Sequence, residues 1–196
     1  AIAKAPKFFP AGLLNKLTVR AFNEAWYRKA PKYRKGELQT ISQFFHPLDG
    51  VIDWNRIYGP LGFLQYQFAV PDKAAYLIPR TLNALRDIGA PSFLTVLKRL
   101  GQGNPSPLSF PIPGWTLAAD VPASVLGLFE VLDQLDEEVA AAGGRLYLAK
   151  DSRQSARAFQ MSYGTEEIFS NQAKIKFRNQ KFDSDLLARI GIHNWI

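Results

Sequence analysis

The chain has 196 residues, 47% of them apolar and 21% charged, with a net charge of +7 and no cysteine. That balance fits a globular domain with a real core, and it excludes disulfides, thiol nucleophiles and cysteine metal sites. Any histidine-based hydrolase or metal site would have to be built on His46 or His193 alone, so no metal is expected.

No apolar run reaches the roughly 20 residues that cross a bilayer. Ala1–Pro10 carries lysines but lacks the apolar stretch and small-residue site of a signal peptide. The chain starts at Ala1 and its single methionine is Met161, so an N-terminus made by processing, or a fragment, is expected. The basic residues cluster in Arg28–Lys35 and Lys174–Lys181. A basic balance suits anionic partners, and a solvated basic surface is the plainer alternative.

Residues 1–60 are punctuated by Pro6, Pro10, Pro31, Pro47 and Pro60 and read as an irregular leading segment. One short strand is predicted there, over Glu37–Phe45. Residues 61–150 are regular. Phe63–Val70 reads as a strand ended by Pro71. Asp72–Ile88 reads as a helix, kinked or restarted at Pro79, with Leu82, Leu85 and Ile88 on one side. Ser92–Lys98 is a second strand, and Gly101–Pro113 a loop dense in Gly and Pro. Trp115–Asp120 is a third strand. Ser124–Ala142 is the clearest helix, with Leu128, Leu132, Leu135 and Val139 at helical spacing, Ser124 as its cap and Gly143-Gly144 as its stop. Arg145–Lys150 is a fourth strand. Residues 151–196 hold a polar turn, a helix near Ala156–Tyr163 and a basic tail too short to fold alone.

The predicted fold is therefore α+β, a ferredoxin-like β-α-β-β-α-β unit with both helices on one face of an antiparallel sheet. Side chains alternate along a strand. In the first strand Leu64, Tyr66, Phe68 and Val70 suit the helices, leaving Phe63, Gln65 and Gln67 on the helix-free face. Lys98 and Lys150 are predicted to end the second and fourth strands at its rim. Amides with lysines beside them suit a polar or anionic ligand, against the alternative of a merely solvated face.

Other chemistries fare worse. Gly101-Gln102-Gly103 precedes Pro105 and Pro107, so no helix can start there to hold a phosphate. An RNA-recognition module shares the element order, but Gln65 and Gln67 stand where stacking aromatics are needed, so no nucleic acid is expected. His46, between Phe45 and Pro47, reads as a structural hydrogen-bonder or a pocket wall. Trp54, Tyr58 and Trp115 read first as core. Lys150-Asp151-Ser152-Arg153 is the most chemically loaded stretch: Lys150 could stabilise a developing anion, or simply pair with Asp151.

Several motifs occur together and in order: Trp26-Tyr27-Arg28-Lys29, Phe45-His46-Pro47-Leu48-Asp49, Trp54-Asn55-Arg56, Tyr58-Gly59-Pro60, Gly62–Phe68, Pro107–Pro111 with Pro113-Gly114-Trp115, and Ala149–Arg153. This set resembles the C-terminal half of sugar-oxidising members of the vanillyl-alcohol-oxidase-like FAD-linked oxidases. The resemblance implies a substrate (cap) domain, residues 61–150, lying over FAD that is held mainly by a separate FAD-binding domain, to which residues 151–196 return.

It also implies hydride transfer from a sugar hydroxyl to flavin, on a polyprenyl-phosphate sugar or an aldonolactone-like substrate. By matching position, Lys150 and Gln67 are expected to be catalytic and to contact the cofactor, with Gln67 an orienting hydrogen-bond donor. Gln65, Lys98, Tyr147, His46, Leu48, Trp54, Leu94, Val96 and Thr116 are expected to line the substrate site. Phe45 stands where a pocket tyrosine is typical, and Thr116 and Ala118 replace an Asn and a Cys. Phe182–Asp185 and Arg189 resemble the closing segment, without its usual Asp-Pro. The chain alone is expected to be inactive, in a cytoplasmic or periplasmic setting that leaves room for peripheral membrane association. The competing reading is a non-catalytic ferredoxin-like module for an anionic or polyprenyl-phosphate ligand.

Overall fold

A computed structural model describes residues 3–6, 15–45, 50–90, 92–106, 108–164 and 184–191. In chain order these hold β1 (Ala3–Lys4), α1 (Lys16–Lys29), α2 (Ile41–Phe45), β2 (Val51–Ile52), a 3-10 turn at Trp54–Tyr58, β3 (Phe63–Val70) and a 3-10 turn at Asp72–Ala74. Then come α3 (Leu77–Asp87), β4 (Thr95–Leu100), β5 (Gly114–Pro122), α4 (Leu128–Ala141), β6 (Arg145–Leu146), α5 (Ala156–Tyr163) and α6 (Asp185–Arg189).

The central sheet runs β4-β5-β3-β6, antiparallel throughout. This is the ferredoxin-like arrangement expected from the sequence, in which the first and third strands of the unit lie in the middle. Tyr66, Phe68 and Val70 of β3 meet Leu117, Ala119 and Val121 of β5 under α3 and α4, with Leu64 packed alongside. Leu128, Leu132, Leu135 and Val139 of α4 are all at most 1% exposed, and burying such side chains is worth roughly 1.5–3 kcal/mol each. Gly144 follows α4 because a Cβ there would lie 2.7 Å from the Ala69 carbonyl and from Val139.

Several boundaries differ from the sequence expectation. The restart expected at Pro79 falls two residues earlier, at Leu77, where the helix that takes in Pro79 begins. Pro79 is the third residue of α3, within the first turn, where its missing N–H would have had no intrahelical partner. The turn before it, Asp72–Ala74, is separate. Ser124 does not cap α4, which starts after Gly127 in a left-handed conformation (φ 73°). The fourth strand stops at Leu146, and Tyr147–Lys150 turns away from the sheet.

The leading segment departs most. Glu37–Phe45 is not a strand: Ile41–Phe45 is a short helix. Lys16–Lys29 is a 14-residue helix opened by a capping box, in which Asn15 Oδ1 accepts from the Thr18 amide (3.0 Å) and Thr18 Oγ1 accepts from the Asn15 amide (3.1 Å). Arg28 and Lys29 sit at its C-terminal end, where the helix dipole favours cations. Ala30 takes the extended conformation that a following proline demands.

At the other end, α5 packs Phe159 and Tyr163 with Ile190, beside Leu186 and Leu187 of α6. The Tyr163 hydroxyl donates to the Leu146 carbonyl (2.6 Å). Lys174–Lys181, Phe182–Asp183 and His193–Ile196 lie outside the described residues. Among the described residues no helix is long and apolar enough to cross a membrane.

Candidate functional site

The pairing register places Gln65 opposite Asp120, Gln67 opposite Ala118 and Ala69 opposite Thr116, with Val96 and Lys98 of β4 opposite Ala118 and Thr116. All of these sit on the face away from α3 and α4. The two-residue alternation that sends Tyr66 and Phe68 into the core thus assembles a polar counterpart on the other side.

Two hydrogen-bonded relays cross this face. Gln65 Nε2 donates to Asp120 Oδ1 (2.8 Å). Gln67 Nε2 donates to Thr116 Oγ1 (3.2 Å), and Thr116 Oγ1 donates in turn to the Phe68 carbonyl (2.8 Å). Asp120 is 2% exposed. Burial pushes its carboxyl above the usual carboxylate range, opposed by the Gln65 amide and by the positive charge of Lys150. Tyr58 lies close enough for the Asp120 charge to add to the rise that burial causes in its phenol.

Because β6 is only two residues long, the chain after it swings beside β3. The Tyr147 amide donates to the Gln67 carbonyl (2.9 Å). A narrow crevice at this edge of the sheet, with room for about one water, is lined by Gln65, Gln67, Tyr147, Lys150, Asp151, Ser152 and Arg153 together with Leu64, Tyr66, Leu132 and Leu146 of the core side. Lys150 is in this turn rather than at a strand end, its amide bonded to the Tyr147 carbonyl (3.0 Å).

The turn is locked from behind. Asp151 Oδ1 accepts from the amides of Arg153 (3.0 Å) and Gln154 (2.8 Å), while its Oδ2 pairs with Arg189 Nη1 (2.8 Å). Asp151 is therefore committed to Arg189, not to Lys150. Arg153 is held by Asp133 and by Asp136 (2.6 Å), with the Tyr66 ring 5.7 Å below its guanidinium.

The other expected residues spread around this centre. Lys98 is inside β4, exposed, across β5 from the glutamines. Leu94 and Val96 lie along the same edge, where the Leu94 carbonyl accepts from the Asp120 amide (3.0 Å). Trp54 joins Tyr58 and Phe63 in an aromatic cluster, the Tyr58 and Phe63 rings stacking at 4.5 Å. Tyr147 packs on Phe110 with ring centroids 4.6 Å apart. His46 and Leu48 lie outside the described residues.

Sequence reasoning missed Asp120, Tyr58 as a neighbour of the site, Phe110, and Arg145, which donates to the Ser109 carbonyl and lies over the Tyr163 ring. Asp120 had one available signal, since it shares the parity of Thr116 on the same strand. A sheet face with oriented amides and a cation nearby is chemically suited to a polar or anionic ligand.

The fold is a ferredoxin-like α+β arrangement with one polar sheet face, and comparison with known proteins gives it a relation. No protein-family profile matches the chain. The chain is homologous to part of decaprenylphosphoryl-β-D-ribose oxidase of Mycolicibacterium smegmatis, 48% identical over 185 residues, 94% of this chain and 40% of that protein. It is also 34% identical over 197 residues to a Streptomyces coelicolor protein described as an uncharacterized protein in the mprA 5′ region, covering 96% of this chain and 53% of that one. The chain thus spans about half the length, or less, of the curated relatives it matches, and the resemblance read from its motifs holds over nearly all of it.

Proposed function

We propose that this chain is the substrate domain of an FAD-dependent oxidoreductase that oxidises a sugar hydroxyl, with a polyprenyl-phosphate ribose as the favoured substrate class. The observation that carries this reading is that Gln65 and Gln67 lie on the helix-free face, hydrogen-bonded to Asp120 and Thr116, with Lys150 near enough for its charge to act on Asp120. Similarity to the Mycolicibacterium decaprenylphosphoryl-β-D-ribose oxidase supports the reaction and the substrate class.

When bound, the flavin supplies the hydride acceptor. This chain's own residues do the rest. Gln65 and Gln67 hold sugar hydroxyls at the sheet face, and Lys150 keeps a positive charge beside the hydroxyl oxygen, where negative charge would build as its proton is released to solvent. The Asp151 lock fixes the backbone of the turn that carries Lys150, which limits the region its ammonium can reach. Thr116, Val96, Leu94 and Trp54 complete the walls.

The test uses the purified protein that carries this chain, with its flavin domain. It should be yellow, and a polyprenylphosphoryl-β-D-ribose should bleach the flavin band without oxygen. A colourless protein that still binds the polyprenyl phosphate would support the non-catalytic module instead.

A further inference from the structure

The two glutamines do not merely sit on the site; their orientation is dictated by their neighbours. A threonine hydroxyl has one hydrogen, and that of Thr116 is used on the Phe68 carbonyl (2.8 Å). Thr116 Oγ1 can therefore only accept from Gln67, so the amide nitrogen of Gln67, not its oxygen, must face Thr116 (3.2 Å). Asp120 imposes the same choice on Gln65, because an ionised carboxylate is acceptor-only (2.8 Å). Asp120 Oδ2 is itself buried with no hydrogen-bond partner among the described residues. A buried carboxylate so sparsely satisfied needs a reason to be there. The Oε1 atoms of both glutamines accept from no described residue and are not sealed off from solvent.

We propose that Thr116 and Asp120 are positioning residues that lock both carboxamides with their carbonyl oxygens toward the ligand, so that the site selects two hydroxyl donors on one side of a sugar ring. This rests on the proposed function and deepens it. It reverses the sequence expectation that Gln67 serves the ligand chiefly as a donor. Each amide nitrogen keeps a second hydrogen, but the carbonyl oxygens are the atoms left wholly to the ligand. Lys150 is then the cation of the group, and the pattern of two acceptors plus one cation favours a diol whose oxygen becomes negative during the reaction. Exchange of either lock for a group that both donates and accepts, or does neither, frees the amide to turn.

The experiment uses the FAD-containing protein that carries this chain, with a short-chain polyprenylphosphoryl-β-D-ribose and its singly deoxyfluorinated analogues, since fluorine cannot donate. At a hydroxyl that is not oxidised, fluorination should raise the wild-type KM by about tenfold or more, the size of one lost hydrogen bond to a fixed acceptor. In Thr116→Val and Asp120→Asn that penalty should fall below about threefold, with kcat changed less than KM. Thr116→Ser, which keeps the hydroxyl relay, should restore the wild-type discrimination. Unchanged fluorine discrimination in both Thr116→Val and Asp120→Asn would overturn the proposal while leaving the proposed function standing.

If the wild type oxidises none of these sugars, the proposed function fails, and the orientation is still decided by NMR of the 15N-labelled glutamine amides. A Gln67 Nε2 proton in contact with Thr116, lost in Thr116→Val, supports the lock. Equal populations of both amide orientations in the wild type would overturn it.

Discussion

Two aspartates are buried on opposite sides of the central sheet, and their surroundings differ. Asp136, on α4, is 2% exposed and is answered at once by Arg153, which Asp133 and the Tyr66 ring hold in place. Asp120, on the helix-free face, is equally buried but, among the described residues, its side chain receives only the Gln65 amide and the more distant charge of Lys150. On the helix side the buried charge is answered by a direct ion pair, although Asp136 Oδ1, the Tyr66 hydroxyl and Thr81 Oγ1 have no hydrogen-bond partner among the described residues. On the other side it leaves carbonyl oxygens and a cation unspent. The contrast separates residues that hold the domain together from residues that wait for a ligand.

That contrast can be broken by substitutions on either side. Phe68→Ala on the helix side should have the largest effect, a loss of about 3–5 kcal/mol in denaturant unfolding, because a fully buried ring would leave a cavity. Arg153→Leu should follow, at roughly 3 kcal/mol near neutral pH, since it strands the Asp136 carboxylate.

The second effect should shrink on acidification. Burial pushes the Asp136 carboxyl up to about 6 even against the pull of Arg153. Its folded-state pKa is thus above its unfolded one, so its contribution to stability is fully present below about 4 and is lost as pH rises through about 6. Melting curves between pH 4.5 and 7.5 check this, and a pH-independent penalty would contradict it.

Asp120→Asn should be milder, within about 1 kcal/mol, because the amide can still serve Gln65. The Asp120 pKa is also raised in the fold, so the wild type loses stability as its carboxylate forms, and the variant should gain on it as pH climbs from about 4 toward neutrality. Arg80→Ala, which cuts a half-exposed ion pair to Glu138 (2.9 Å), should be smallest, under about 1 kcal/mol by the same melts.

Much of this division was legible in the amino-acid order. Alternation in Phe63–Val70 separated core from site, and the Leu128–Val139 spacing identified α4 and its buried stripe. Ends of elements were less legible. Ser124 has the chemistry of a cap, yet Gly127 starts the helix because a left-handed residue is what the preceding turn requires. Lys150 looked like a strand end because Leu146, Tyr147 and Leu148 suit a strand, but pairing stops once Tyr147 has bonded Gln67. α1 was hidden by the prolines on either side, although Asn15-Lys16-Leu17-Thr18 carries a capping box in plain view. In the site, residue types pointed to Gln65, Gln67 and Lys150. The direction of each amide depends on Thr116 and Asp120, some 50 residues away, and only pairing of β3 with β5 brings them together.

In the proposed function, a cation carried on a locked turn beside two oriented amides serves oxidation of a sugar hydroxyl. The most direct measurement is anaerobic single-turnover flavin reduction by polyprenylphosphoryl-β-D-ribose in the FAD-containing protein, comparing wild type with Lys150→Ala at matched flavin content. The wild type should bleach, and Lys150→Ala should retain its flavin and thermal stability but reduce that flavin at least about a hundredfold more slowly, the scale of removing one stabilising electrostatic group. Equal rates of bleaching would contradict that role of Lys150.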